Sequence, residues 1–439
     1  PAFCRLYQSY AHKRVPEQWN VKMTLFTAKP THTFTLDNGL QVIVREDHRT
    51  AAFCASLFHK IGTRNERPGQ RGLAYLTGSA AFKDKALVKA SGGVANGWLD
   101  YDVSTYSLEA PRAALAPMLN LLAMRMLAPA LSQERLNAGI KHTQTLELGE
   151  PYFTSDYWIT PGFEQLIFPN AGKAYKFGDI ADLERITIDD VLGWHKNGYA
   201  PDNSILVIVG DVSLEEIQPV VQRLFGDIPR VDGLARLDQA ASDVQTDPRT
   251  LTEHLDTARQ RLQMAFNVPS LATVADVRDM RALQVISALL TSGPEAWLPG
   301  RLSEGQATLS SVITRLPAYR RSDDLFLIAA TAGEHTALSL QHIELEIKQL
   351  LETLKTQTLD TLTLAYAQQQ AIEKLSELET LETQTSIIGN LHVIGQSWTL
   401  SDSETQQLQS ITAQDIQRVA SLYFTPERLS VAYILPRTA

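Results

Sequence analysis

Ser79 and the ten histidines are the first residues to weigh for chemistry in this chain of 439 residues. A serine nucleophile needs a base beside it and, on a hydrolase elbow, a G-x-S-x-G frame. Ser79 lies in "AYLTGSAAF" with neither. His142 and Glu147 fall on one helical segment, "QERLNAGIKHTQTLELGE", and with His59 they offer the nitrogen and carboxylate donors that a metal takes. Nothing supplies a third ligand at motif spacing, so His142 and Glu147 are expected as solvated surface residues. His195, His254, His335 and His392 stand isolated and are expected on the surface or packed. "SGGVANG" has neither the GxGxxG spacing nor the Lys-Ser/Thr of a phosphate loop. Cys4 and Cys54, the only cysteines, are too few for a zinc knuckle or a disulfide framework.

These residues must be positioned by two similar halves. Residues 186–211, "ITIDDVLGWHKNGYAPDNSILVIVGD", and 411–436, "ITAQDIQRVASLYFTPERLSVAYILP", align without gaps. Thr187 meets Thr412, Asp190 meets Asp415, Val191 meets Ile416 and Pro201 meets Pro426. Each copy predicts a Thr cap opening a helix, a Pro after its end, and an alternating strand. A single recurrence after about 225 residues predicts two similar domains, because solenoid repeats run to roughly 20 to 50 residues. The polar stretch "RVDGLARLDQAASDVQTDPRT", residues 230–250, reads as the linker. It follows a first domain over 31–229 with an extension over 1–30, and precedes a second over 251–439. Alternating runs such as "FTLDNGLQVIV" and "RLQMAFNV" mix with a helical stripe at Ile343, Ile347, Leu350, Leu351 and Leu354. The expected class is α+β, each domain an antiparallel or mixed sheet with helices packed on one face. Asp37-Asn38-Gly39 supplies the turn between two strands.

From residue 32 onward the chain resembles the M16 family of metallopeptidases, which includes pitrilysin, insulin-degrading enzyme and mitochondrial processing peptidase. The resemblance rests on "TFTLDNGLQVIVREDH", "HKIGTRNERPGQRGLAYLTGSAAFKD", "GGVANGWLDYDVSTYSLEAP" and both copies of the segment above, in that order. It implies two domains of the LuxS/MPP-like fold. In that family an inverted zinc motif, His-x-x-Glu-His, follows a G-x-R-x-E stretch. The two His share a helix face and the Glu activates the zinc-bound water. Here "GTRNERPGQRGLA" leads to Tyr75 at the first His, Gly78 at the Glu and Ser79 at the second His, and the family's later Glu ligand falls at Thr143. A phenol with a pKa of about 10, a hydroxyl and a missing side chain are poor zinc ligands. The resemblance therefore implies no catalytic residue, no metal and no other cofactor. In the second domain "LSEGQATLSSV" puts Gln306 and Ser310 where the family carries an Arg and a Tyr, and Arg315, Tyr319 and Arg320 lie nearby. The family's edge strand is kept, with Asn96, Gly97 and Trp98 where it contacts substrate. A peptide can add to such an edge through main-chain hydrogen bonds; that these residues only shape the strand is the alternative.

A chain of this length with 44% apolar residues can bury more than one core. Its net charge of -9 gives no attraction to phosphate backbones, so nucleic acid is not an expected partner. No run of about eighteen apolar residues predicts a membrane span. Residues 1–22 lack a signal-peptide core, and Met23 offers an alternative start. The expected compartment is the cytoplasm. The expected function is the non-catalytic subunit of a heterodimeric M16 zinc peptidase, half of a closed chamber around its peptide substrate, beside a zinc-bearing partner. A homodimeric peptide-binding or scaffold protein is the first alternative. A zinc endopeptidase with a relocated site at His142 and Glu147 is the second.

Overall fold

Strands form where β-branched and aromatic residues cluster, and QVIVRE, SILVIVG and AFCASLFH lie side by side at the centre of one sheet. The computed structural model describes residues 29–80, 85–148, 159–168, 178–231, 249–302, 309–333, 339–376 and 379–437. Most of the 230–250 linker and nearly all of the 1–30 extension lie outside them. In the first sheet the spatial order is β1 (Thr31–Thr35), β2 (Gln41–Glu46), β6 (Ser204–Gly210), β3 (Ala52–His59), β5 (Ser104–Pro111) and β4 (Val94–Leu99). The second runs β7 (Arg249–Leu255), β11 (Leu429–Pro436), β8 (Arg261–Val268), β10 (Asp324–Ala332) and β9 (Leu309–Arg315). From β2 onward the two orders are the same. One parallel pair in each sheet, β2 with β6 and β7 with β11, makes both sheets mixed.

The helices follow the same plan. The first half carries α1 (Leu73–Ala80), α2 (Lys85–Ala90), α3 (Leu115–Met126), α4 (Gln133–Leu148), α5 (Pro161–Ile167), α6 (Ile180–Leu183), α7 (Ile188–Gly198) and α8 (Leu214–Phe225). The second carries α9 (Val277–Thr291), α10 (Trp297–Leu302), α11 (Leu340–Thr356), α12 (Thr361–Ser376), α13 (Leu381–Val393), α14 (Thr399–Asp402), α15 (Glu404–Gln409) and α16 (Ala413–Tyr423). The repeated segment forms α7 and α16. Thr187 and Thr412 each close a capping box with the Asp three residues on; Asp190 N–H and Asp415 N–H both donate to the Thr Oγ1 at 3.2 Å. The turn between β1 and β2 holds Gly39 at φ 90°, and the Asn38 amide donates to the carbonyls of Phe225 and Ile228, tying the turn to the end of α8.

Each half packs its own helices on one face of its sheet. Val42, Val44, Leu57 and Leu108 meet α3 and α8 in the first core; Met264, Phe266 and Ile328 meet α9, α11 and α16 in the second. The opposite faces are covered by exchange. Leu381, Ile388 and Val393 of α13 lie on Ile43, Phe58, Val207 and Val209 of the first sheet. Phe163 and Ile167 of α5 lie on Ala265, Leu327 and Ile434 of the second. Polar ties join the halves between these helices. Arg320 of the second half pairs with Asp100 of the first as well as with its own Asp324, and Arg321 N–H donates at 3.1 Å to Asp102, which Arg64 of the first half also meets at 3.1 Å. Among the described residues no helix is long and apolar enough to cross a membrane.

Candidate functional site

Helix α1 begins where Gly72 turns the chain at φ 101°. The N–H groups of its first turn have no partner within the helix, and the Glu66 carboxylate takes two such donors, from Gly72 at 3.1 Å and Ala74 at 2.8 Å. Burial pushes the Glu66 carboxyl up to about 8. On one side Leu73 and Leu76 pack with Leu136 of α4 and Val191 of α7. On the other, Ala74, Tyr75, Gly78 and Ser79 line a cavity of about 480 Å³.

The cavity has a sheet for its floor. His59 of β3, Ser104 to Tyr106 of β5 and Ala95 to Leu99 of β4 form it, and Arg125, His142 and Tyr199 complete the wall. His59 is buried, its ring stacked on Tyr199 with centroids 4.1 Å apart and planes 3° from parallel. Its Nδ1 lies 2.7 Å from Ser204 Oγ, and the Ser204 hydroxyl donates to the Ala200 carbonyl at 2.7 Å. With the serine proton committed there, Nδ1 carries the imidazole proton and Nε2 the lone pair. Burial first, then the charge of Arg125, hold the His59 pKa well below the usual value of 6.5. Arg125 lays its guanidinium 3.7 Å from the centre of the Tyr106 ring and donates to the Gly78 carbonyl at 3.3 Å. Its own carbonyl lies 2.8 Å from His195 Nε2, which fixes that nitrogen as the donor.

The positions singled out in the sequence thus converge. Tyr75, Gly78, Ser79, Asn96, Gly97, Trp98, His59 and His142 border one space. Thr143 does not border it: fully buried, it donates its hydroxyl back to the Gly139 carbonyl at 2.8 Å. The Ser79 hydroxyl likewise returns to the Leu76 carbonyl at 3.0 Å. His142 is exposed on the wall, while the side chain of Glu147 and the whole of Gln306 lie outside the described residues. Arg315 and Ser310 are exposed on the edge strand β9, and Tyr319 is largely buried beside the charged pair of Arg281 and Glu404. Arg320 is committed to the joint between the halves. Among the described residues no group of three His, Cys, Asp or Glu is placed to hold a metal ion. The donors around α1 therefore do not fit the zinc that the resemblance brings to mind.

Among the described residues strand β4 pairs with β5 alone, at the edge of the sheet. Trp98 is 61% exposed, and the Asn96 amide donates to Glu382 of α13 at 2.7 Å. Gly97 keeps the cavity clear, since a Cβ there would meet nothing nearer than Tyr106 Cδ2 at 4.0 Å. Arg125, Tyr106 and Tyr199 escaped the sequence reading. Arg125 carries the one available signal, a cation in register with Met118, Leu121 and Leu122 on the buried stripe of α3.

A family model described as the peptidase M16 inactive domain matches residues 185–370. The chain is 26% identical over 432 residues to the zinc protease PqqE of Helicobacter pylori, covering 93% of each. It is 23% identical to the mitochondrial-processing peptidase subunit alpha-2 of Dictyostelium discoideum, covering 88% of this chain and 87% of that one. Its fold matches the crystal structure of a protease from Helicobacter pylori with a TM-score of 0.82 at 22% identity, over 93% of this chain and all of the other.

Proposed function

We propose that this chain, similar to M16 peptidases and carrying Tyr75, Gly78 and Ser79 where the resemblance puts their zinc triplet, is the non-catalytic subunit of a heterodimeric M16 zinc peptidase. Its two halves form one side of a closed chamber, and a zinc-bearing chain of similar length forms the other. The observation that carries this reading is the face of α1 toward the cavity, which retains the space of a site and none of its ligands. An extended peptide pairs with the outer edge of β4 through backbone hydrogen bonds, which need no metal. Asn96, Gly97 and Trp98 are the residues assigned to that contact. The proposed compartment is the cytoplasm, on composition and cysteine usage alone.

Zinc analysis of the purified chain, with peptide cleavage assayed alone and mixed with a zinc-bearing M16 partner, tests the proposal. The expected result is no zinc, no cleavage alone, and faster cleavage by the mixture than by the partner. Stoichiometric zinc with chelator-sensitive cleavage by this chain alone would overturn it in favour of a relocated site. Peptide binding with no effect on any such partner would instead support a homodimeric binding or scaffold protein.

A further inference from the structure

His59 holds the most unusual polar atom in the cavity. It is 2% exposed, and its Nε2 is buried without a hydrogen-bond partner among the described residues. A buried acceptor left unmet costs about 1 to 3 kcal/mol, so its persistence beside a cavity calls for a ligand. Strands β6 and β5 flank β3 on opposite sides. With Nδ1 turned to Ser204 on β6, the other edge of the ring faces away from β6, and Nε2 lies beneath the wall of the cavity that His59 lines. A half-turn of the ring would keep the stack on Tyr199 but give up the Ser204 bond, which therefore fixes where this lone pair lies.

The chemistry of the wall then selects the ligand. Nε2 accepts a proton donor and repels a second lone pair. The Arg125 guanidinium, close enough to bear on the charge of His59, donates to an acceptor and opposes a cation. An ammonium group or a metal ion meets the arginine charge, and a carboxylate presents only lone pairs to Nε2. A carboxamide satisfies both, with its N–H on Nε2 and its carbonyl toward the arginine side. Tyr106 and Tyr75 also line the space. We propose that the cavity between α1 and β4 binds a primary carboxamide, held by His59 Nε2 and Arg125, either as a glutamine or asparagine side chain of a peptide or as a small free amide. The peptide source rests on the proposed docking at β4; the free source does not.

The test uses the full chain and four probes by calorimetry: an extended peptide with a central glutamine, the same peptide with glutamate, the same with norleucine, and free N-acetylglutamine amide. The glutamine peptide or the free amide is expected to bind, with glutamine favoured over glutamate and norleucine by about tenfold, the worth of one well-made hydrogen bond. His59→Phe, which retains a ring against Tyr199, is expected to reduce that preference to within about twofold. If that variant unfolds, the ¹⁵N resonance of His59 Nε2 in the unaltered protein decides. It should move toward the hydrogen-bonded position when the carboxamide is added and stay unprotonated. Equal binding of all three peptides would overturn the carboxamide assignment and leave β4 docking intact. Tighter glutamate binding with proton uptake would overturn it in favour of a carboxylate. Binding of the free amide alone would uphold the carboxamide and remove the peptide groove; binding by none of the probes would overturn both.

Discussion

Helices α1 and α9 hold the same place in the two halves, between the strands equivalent to β3 and β4, and they use it in opposite ways. Eleven of the fifteen residues of α9 are buried, and its last turns are tied to the edge strand β9 by hydroxyls. Thr314 Oγ1 lies 2.7 Å from both Ser287 Oγ and Thr291 Oγ1. Helix α1 has eight residues, and where hydroxyls close the second half the first keeps a cavity over Gly97. Two copies of one plan show which part is structural necessity. Among the described residues the second half joins helix and edge strand through these hydroxyls, so the sheet does not require a space beneath that edge.

The sharpest way to press the contrast is to rebuild the lost ligands. Tyr75→His, Gly78→Glu, Ser79→His and Thr143→Glu together should load the chain with about one zinc beyond what the unaltered chain holds, read by elemental analysis. Gly78 has room, since a Cβ would meet only the Tyr199 hydroxyl, at 3.6 Å. A chain that still binds no zinc would mean that the opening no longer has the geometry of a metal site.

Filling the two edges should give opposite results. Gly97→Leu is expected to weaken peptide binding by about tenfold or more with the melting temperature held, because the new side chain enters open space. Thr314→Val should cost about 1 to 2 kcal/mol of stability and leave peptide affinity unchanged. Equal effects at both would erase the distinction between the halves.

The caps of α1 and α9 differ in their response to pH. Asp276 caps α9 from an exposed position, accepting from Arg278 N–H at 2.9 Å, whereas Glu66 is drawn into the protein. Between pH 4.5, its ordinary value, and about 8 Glu66 is protonated in the folded chain and ionised in the unfolded one. The folded state then binds more protons, so stability falls as pH rises through that window. Glu66→Gln should remove a decline on the order of 5 kcal/mol, followed by denaturant unfolding at several pH values. The smallest effects belong to the paired capping boxes. Thr187→Ala and Thr412→Ala should each cost about 1 kcal/mol. Asp415→Ala should cost more than Asp190→Ala, because Asp415 also receives Arg278 at 2.9 and 2.6 Å.

Features carried by local pattern were legible in the sequence. The Thr-to-Pro segment formed the same helix, cap and strand twice, because capping and period-2 alternation depend on near neighbours. The convergence of Tyr75, Gly78 and Ser79 with Asn96 to Trp98 was legible only through the order of motifs in a known family. The tautomer of His59 was not readable at all. It depends on Ser204, 145 residues away, and on where the serine proton goes. Thr143 and His142 are adjacent in sequence, yet only His142 reaches the cavity, since one residue along a helix turns a side chain by about 100°.

The crossing of α5 and α13 over each other's sheets has a temporal consequence. Val207 and Ile43 emerge from the ribosome long before Leu381 and Ile388 that cover them, so one face of the first sheet stays bare through most of synthesis. At roughly 5 to 20 residues per second, the wait between residue 210 and residue 393 is on the order of ten seconds or more. A half-length product would keep that sticky face for good, and the chain must be nearly finished before either half is.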